Sequence, residues 1–155
     1  MKRSVMFAGM ASAAVLVLAG CTQPTPSVTI VSGSASVERP ATCWSESSTV
    51  AASVTSCITD ATAKLQAGSQ IPTLTVIPGD VIGINVDPEI AEAGWRPSIG
   101  GQALVQTPLT STYYRFTFPE NLPAAPDGFV LSVLANDAAA GDRGIWLFRL
   151  QPRVG

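Results

Sequence analysis

A chain of 155 residues with 9 basic and 11 acidic side chains has the length of one ordinary domain, and its slight acidity leaves no basic footprint for nucleic acid. The sequence contains no histidine. That excludes Ser-His-Asp and Cys-His catalysis, the common catalytic zinc sites and blue copper, and it removes the usual general base near neutral pH. An enzyme built from this chain would need a less common chemistry, and no cofactor or metal is expected.

The chain opens with a short positive segment, Lys2-Arg3, followed by a mostly apolar and uncharged stretch from Ser4 to Val17. This stretch is too short to cross ~30 Å of hydrocarbon with margin, so it reads as a secretory signal rather than a membrane span. A Lys-Arg pair in place of twin arginines points to Sec export. The signal ends in Leu18-Ala19-Gly20-Cys21, which closely resembles the lipobox of bacterial lipoproteins. That resemblance implies cleavage before Cys21 and a thioether-linked lipid, with acyl chains such as palmitate, on Cys21. Ala19 and Gly20 suit a peptidase pocket with no room for branched side chains, and only a thiolate can take the diacylglyceryl group. Two or more acyl chains on one residue anchor stably, whereas a single chain holds only marginally. The plainer alternative is an ordinary cleaved signal with a chance cysteine near its end. With residues 1–20 removed, 135 residues remain with 7 basic and 11 acidic side chains, a net charge of −4. Such a domain is repelled by an anionic membrane surface. The expected location is the extracytoplasmic face of the cell membrane, held by lipid.

Residues 21–27 hold the lipidated Cys21 and a polar tether with two prolines (TQPTPS), reaching roughly 20 Å at about 3.1 Å per residue. The remaining stretch, 28–155, is predicted to be one β-sandwich domain. Val28 to Val31 is a first strand, Ser32-Gly33 a turn, and Ala35 to Glu38 a second strand or the continuation of the first. Thr42 to Trp44 and Val50 to Ile58 are further strand candidates, the latter from the alternation Val50, Ala52, Val54. They flank Cys43 and Cys57, the only thiols left once Cys21 carries lipid. An even pair in an exported domain reads as one disulfide, worth roughly 3 kcal/mol on the chain-entropy model. The alternative is a redox or metal-binding dithiol, which the 13 intervening residues suit poorly. Thr59 or Asp60 is expected to cap a short helix over Ala61 to Ala67, closed by Gly68.

Leu74 to Ile77 then runs into the turn signal Pro78-Gly79-Asp80. Val81 to Val86 alternates with Ile82, Ile84 and Val86 on one face. Asp87-Pro88 reads as an N-cap with proline at the first helical position, stopping at Gly94. Gly100-Gly101 is a two-residue hairpin signal between Trp95–Ile99 and Gln102–Gln106. Strands are also predicted over Tyr113–Phe118, Phe129–Asn136 and Gly144–Leu150. Roughly seven or eight short strands at this spacing indicate an all-β fold, an immunoglobulin-like antiparallel β-sandwich with one or two short helices.

Few residues offer chemistry. Asp87, Glu89 and Glu92 could pair as acid and base for glycoside hydrolysis, but their spacing also fits a helix start, where acids favour the dipole without catalysing anything. Asp80 reads as a turn residue. Lys64 could serve a Ser-Lys dyad, but the position three residues before it is Ala61. The run from Val76 to Val86 resembles the strand before a cupredoxin's first copper ligand, yet that ligand would be histidine. Trp44, Trp95 and Trp146 could line a carbohydrate or peptide surface, and tryptophan in a small sandwich more often packs in the core.

The lipobox, Cys43 and Cys57, the run LTVIPGDVIGINVDPEIAEAGW from Leu74 to Trp95, and Tyr113-Tyr114-Arg115-Phe116-Thr117 together resemble a family of actinobacterial lipoproteins carrying a domain of unknown function. The resemblance spans most of the chain after Cys21. It implies an anchored β-sandwich on the outer face of the membrane and brings no catalytic residues. Scarce lysine beside abundant Ala, Pro, Thr and Val fits the GC-rich genomes of that group. The expected function is a non-catalytic binding or accessory module of the cell envelope, whose partner is an envelope protein or glycan. The alternative is a histidine-free, carboxylate-based envelope hydrolase.

Overall fold

The computed structural model describes residues 24–45, 51–121, 125–137 and 141–153. Cys21 and the signal segment therefore lie outside the described residues. In chain order the first elements are β1 (Ser27–Ser32), β2 (Ala35–Pro40), β3 (Cys43–Trp44), α1 (Ala51–Gln66), β4 (Thr73–Val76) and β5 (Val81–Val86). They are followed by α2 (Pro88–Ala93), β6 (Trp95–Ile99), β7 (Gln102–Ala103), β8 (Tyr113–Thr117), β9 (Phe129–Asp137) and β10 (Gly141–Pro152).

The strands form two sheets. Four strands in the order β2-β1-β5-β8 make one, and six make the other, in the order β3-β10-β9-β6-β7 with β4 added beside β10. All pairings are antiparallel except β4 with β10, which is parallel. The core follows from strand alternation. Val28 and Ile30 of β1 and Ile82, Ile84 and Val86 of β5 point inward against Leu131 and Val133 of β9 and Trp146, Phe148 and Leu150 of β10. An all-β sandwich of two mostly antiparallel sheets is present, as expected, with the strands of the sequence reading displaced by a few residues. The segment predicted to reach Gln106 is paired only at Gln102–Ala103.

One segment differs outright. Of Val50 to Ile58, expected as a strand, Val50 lies outside the described residues and Ala51 to Ile58 belongs to α1, a helix of 16 residues rather than the short one expected from Ala61. Val54, Cys57, Ile58, Ala61 and Leu65 recur at helical spacing. All but Val54 pack over Cys43, Ile145 and Leu147 on the outside of the six-stranded sheet. The β-branched threonines of the helix are accommodated locally. The hydroxyl of Thr59 donates to the carbonyl of Thr55 at 2.9 Å, and that of Thr62 to Ile58 at 2.8 Å, so these polar groups stay within the helix. The expected stop at Gly68 is present, with φ +87°. Gly68 N–H donates to Leu65 O at 3.1 Å and Ser69 N–H to Lys64 O at 3.0 Å, the paired bonds of a Schellman closure that glycine allows at positive φ.

Because α1 covers this sheet from outside, β10 is buried on both faces. Trp146, Phe148 and Leu150 face the sandwich core, and Ile145 and Leu147 face the helix. The cysteines join the two layers: Cys43 of β3 and Cys57 of α1 form a disulfide with a Cα–Cα distance of 6.0 Å.

Candidate functional site

The chain enters the sandwich through a clamp. Pro26 O accepts hydrogen bonds from the Trp146 indole N–H at 3.0 Å and from Ala41 N–H at 3.1 Å. One residue later, Ser27 N–H donates to a carboxylate oxygen of Asp87 at 2.7 Å, and Asp87 N–H returns a bond to Ser27 O at 3.2 Å. Asp87 does stand at the N-cap of α2, with an extended backbone and Pro88 next, but its side chain makes no capping bond. Sequence reasoning placed the residue correctly and misjudged its partner, because a carboxylate at a helix start can serve any nearby donor. The Ser27 N–H comes from a strand 60 positions away in sequence.

The other residues singled out from the sequence are dispersed. Glu92 is exposed and Glu89 partly buried on α2, whereas Asp80 closes the turn after β4, its N–H bonding Ile77 O at 3.0 Å. Lys64 is exposed in the last turn of α1. Trp95 and Trp146 are fully buried in the core, with the Trp95 indole N–H donating to Ser111 O at 2.8 Å. Trp44 is partly buried, its ring centroid 5.8 Å from that of Trp146 and 5.1 Å below the Arg143 guanidinium. Among the described residues no helix is long and apolar enough to cross a membrane, and no cluster of three acidic, cysteine or histidine side chains forms a metal cage.

Two surfaces emerge that the sequence reading did not single out. The first is the outer face of the four-stranded sheet, which no helix among the described residues covers. Strand register sets Thr29, Asn85 and Tyr113 in one row across β1, β5 and β8, and Val31, Gly83 and Arg115 in the next. Tyr113 is 49% exposed and Val81 51%. The Tyr113 ring lies across Gly83, where a Cβ would stand 3.1 Å from its hydroxyl oxygen and 3.2 Å from Cε2. A glycine inside a central strand with no turn to make is the sequence signal for such a close approach.

The second is a cleft of about 360 Å³ between α1 and the sandwich edge, lined by Arg39, Cys57, Asp60, Lys64, Leu65 and Leu147 among others. Arg39 pairs with Val28 in register and so points inward from the edge strand β2. Its Nη1 donates to Leu147 O at 2.8 Å. On that side β10 pairs with β3 at Gly144 and Ile145 and with β4 from Arg149 onward. The guanidinium therefore satisfies a carbonyl in the gap between two strand neighbours. A charged residue at an inward alternation position, as in Val37-Glu38-Arg39, is the signal that would have found it.

No family model, no curated protein and no solved structure matches the chain.

Proposed function

We propose that this protein is a lipid-anchored envelope lipoprotein whose immunoglobulin-like sandwich binds an envelope glycan on the outer face of its four-stranded sheet. The anchor reading rests on the lipobox-like Leu18-Ala19-Gly20-Cys21, and the clamp on Pro26 and Ser27 supports it. Only a few residues separate Cys21 from a fixed point in the fold, so a membrane held at Cys21 lies near that end of the sandwich. The immunoglobulin-like reading is supported by two packed sheets between which the chain passes from β4 to β5 and again to β6.

The observation that carries the binding function is Tyr113 laid across Gly83. An aromatic ring with one side on backbone and the other in water is a platform for the apolar face of a sugar ring. Asn85 stands opposite Tyr113, Arg115 two residues along the same strand and Thr29 one strand beyond Asn85, and all three can hydrogen-bond hydroxyl groups. The opposite sheet has its outer face covered by α1, so the face bearing Tyr113 is the open one.

Two tests separate the parts of this reading. Cys21→Ala should move the protein from the detergent phase to the aqueous phase, or leave it unprocessed; equal partitioning of variant and wild type would remove the anchor. For the surface, oligosaccharides released from the cell wall should bind the chain from residue 21 onward, carrying Cys21→Ser for solubility. Tyr113→Ala should weaken that binding about tenfold, equivalent to ~1.4 kcal/mol. Gly83→Ala should weaken it similarly, because the new methyl displaces the ring. Its stability should change by less than about 1 kcal/mol, since the backbone at Gly83 suits alanine and the displaced atoms end a mobile side chain. Undiminished glycan binding by both variants would reject the platform. Crosslinking from position 113 in intact cells that captured a protein would give this face a protein partner instead.

A further inference from the structure

We propose that the cleft between α1 and the sandwich edge binds a small organic monocarboxylate, held by the Arg39 guanidinium at the floor, with its apolar body against Leu65, Ile71 and Leu147. These residues are separate from the Tyr113 platform.

Arg39 is partly buried, and among the described residues its guanidinium hydrogen bond goes to Leu147 O. A guanidinium presents five N–H donors in a rigid fork, so most remain open for a ligand. Among the described residues, the ion pair is that of Arg143 with Asp137 at 3.8 Å, and no acidic group stands within pairing distance of Arg39. Burial lowers the pKa of Arg39. Desolvation of this kind is what a bound anion would offset, because a partly buried cation gains most from a partner that is itself removed from water.

The rest of the lining selects the ligand. Lys64 adds a second positive charge and Asp60 a negative one, leaving the cleft net positive by one. A monoanion matches that balance, and a phosphate dianion would meet repulsion from Asp60. The planar fork also suits the two oxygens of a carboxylate. Ala61, Leu65, Ile71 and Leu147 supply apolar wall, so the anion should carry a hydrocarbon body. The volume of about 360 Å³ lies at the small end of ligand sites.

The test is a titration of the chain from residue 21 onward with Cys21→Ser, which keeps every described residue. Amide chemical shifts are followed at low ionic strength, where charge contributes most. The probes are 3-phenylpropionate, the matching alcohol 3-phenylpropanol, and inorganic phosphate. The carboxylate should shift amides of β2, of the second half of α1 and around Leu147 in a saturable way. The alcohol and phosphate should bind at least tenfold more weakly. Arg39→Gln should abolish saturable binding and Arg39→Lys, which keeps charge but loses the fork, should weaken it several-fold. Because Arg39 also holds Leu147 O, Ala61→Leu provides an independent variant. It fills the cleft from a partly exposed helix position, leaves Arg39 in place, and should block the probe. Equal binding of acid and alcohol, tighter binding of phosphate, or an unchanged titration with Ala61→Leu would each overturn the proposal. The glycan reading depends on Tyr113 and Gly83, so either can fail while the other stands.

Discussion

Replacing Trp146 with alanine is expected to destabilise the sandwich by about 3–5 kcal/mol, the usual cost of truncating a fully buried large aromatic. The indole has no exposed surface and lies in β10 among residues contributed by both sheets. Its removal leaves a cavity that neighbouring strands, fixed by their ladders, can fill only in part. It also removes one of two donors to Pro26 O, the other being Ala41 N–H. Single domains are stable by about 5–15 kcal/mol, so this variant should approach the folding threshold. Its melting temperature should fall on the order of 10–20 °C. Trp146→Phe retains an aromatic ring and loses only part of the volume and the N–H, so its loss should be clearly smaller. A thermal melt that dropped by only a degree or two for the alanine variant would show that Trp146 is not a core residue.

The second large effect is expected from the disulfide. Cys43→Ala with Cys57→Ala should lower stability by about 2–5 kcal/mol, the usual range for removing a native bridge from a small disulfide-bonded domain. The loss should fall unevenly. β3 has only two residues. β3 is held by Thr42 N–H to Ile145 O at 2.9 Å, by Ser45 N–H to Arg143 O at 2.8 Å, and by the bridge. The helix rests on a cluster distinct from the main core, in which Ile58 and Leu65 are only partly buried. Hydrogen exchange in the double variant should therefore show α1 and β3 opening together, while β1 and β5 keep their protection. Uniform loss across both sheets, or an unchanged melt, would contradict this division.

Much of the fold is legible in the sequence because the sandwich core obeys a period of two. Ile82, Ile84 and Val86 on β5 and Trp146, Phe148 and Leu150 on β10 need no tertiary information to be assigned a face. The Gly100-Gly101 hairpin and the Pro78-Gly79-Asp80 turn are likewise local. α1 is obscured because Val50, Ala52 and Val54 match a strand period over five residues, while the helical stripe from Val54 to Leu65 emerges only over a longer window. The candidate surfaces are less legible. Arg39 gains its role from a gap between β3 and β4 on a strand more than 100 positions away. Tyr113 stands opposite Asn85, and its ring reaches Gly83 in the next row only because β5 and β8 pair in this register. Both depend on pairings between distant segments, which a single sequence does not display.

The position of β10 has a consequence for how the chain reaches this structure. β10 pairs with β9, β3 and β4, and it supplies the floor beneath α1. It is also the last strand of the described chain. The β1–β2 hairpin can form from neighbouring residues, but the pairings of β3 and β4 with β10 close loops of roughly 75 to 100 residues. Such loops carry an entropic cost that must be met before the contacts are gained, which slows the rate-limiting step. Until β10 is available, the six-stranded sheet lacks its centre and the inner face of β1 and β5 lacks its main cover. A chain with this topology commits to its native state only late, once its last described strand has joined β9, β3 and β4.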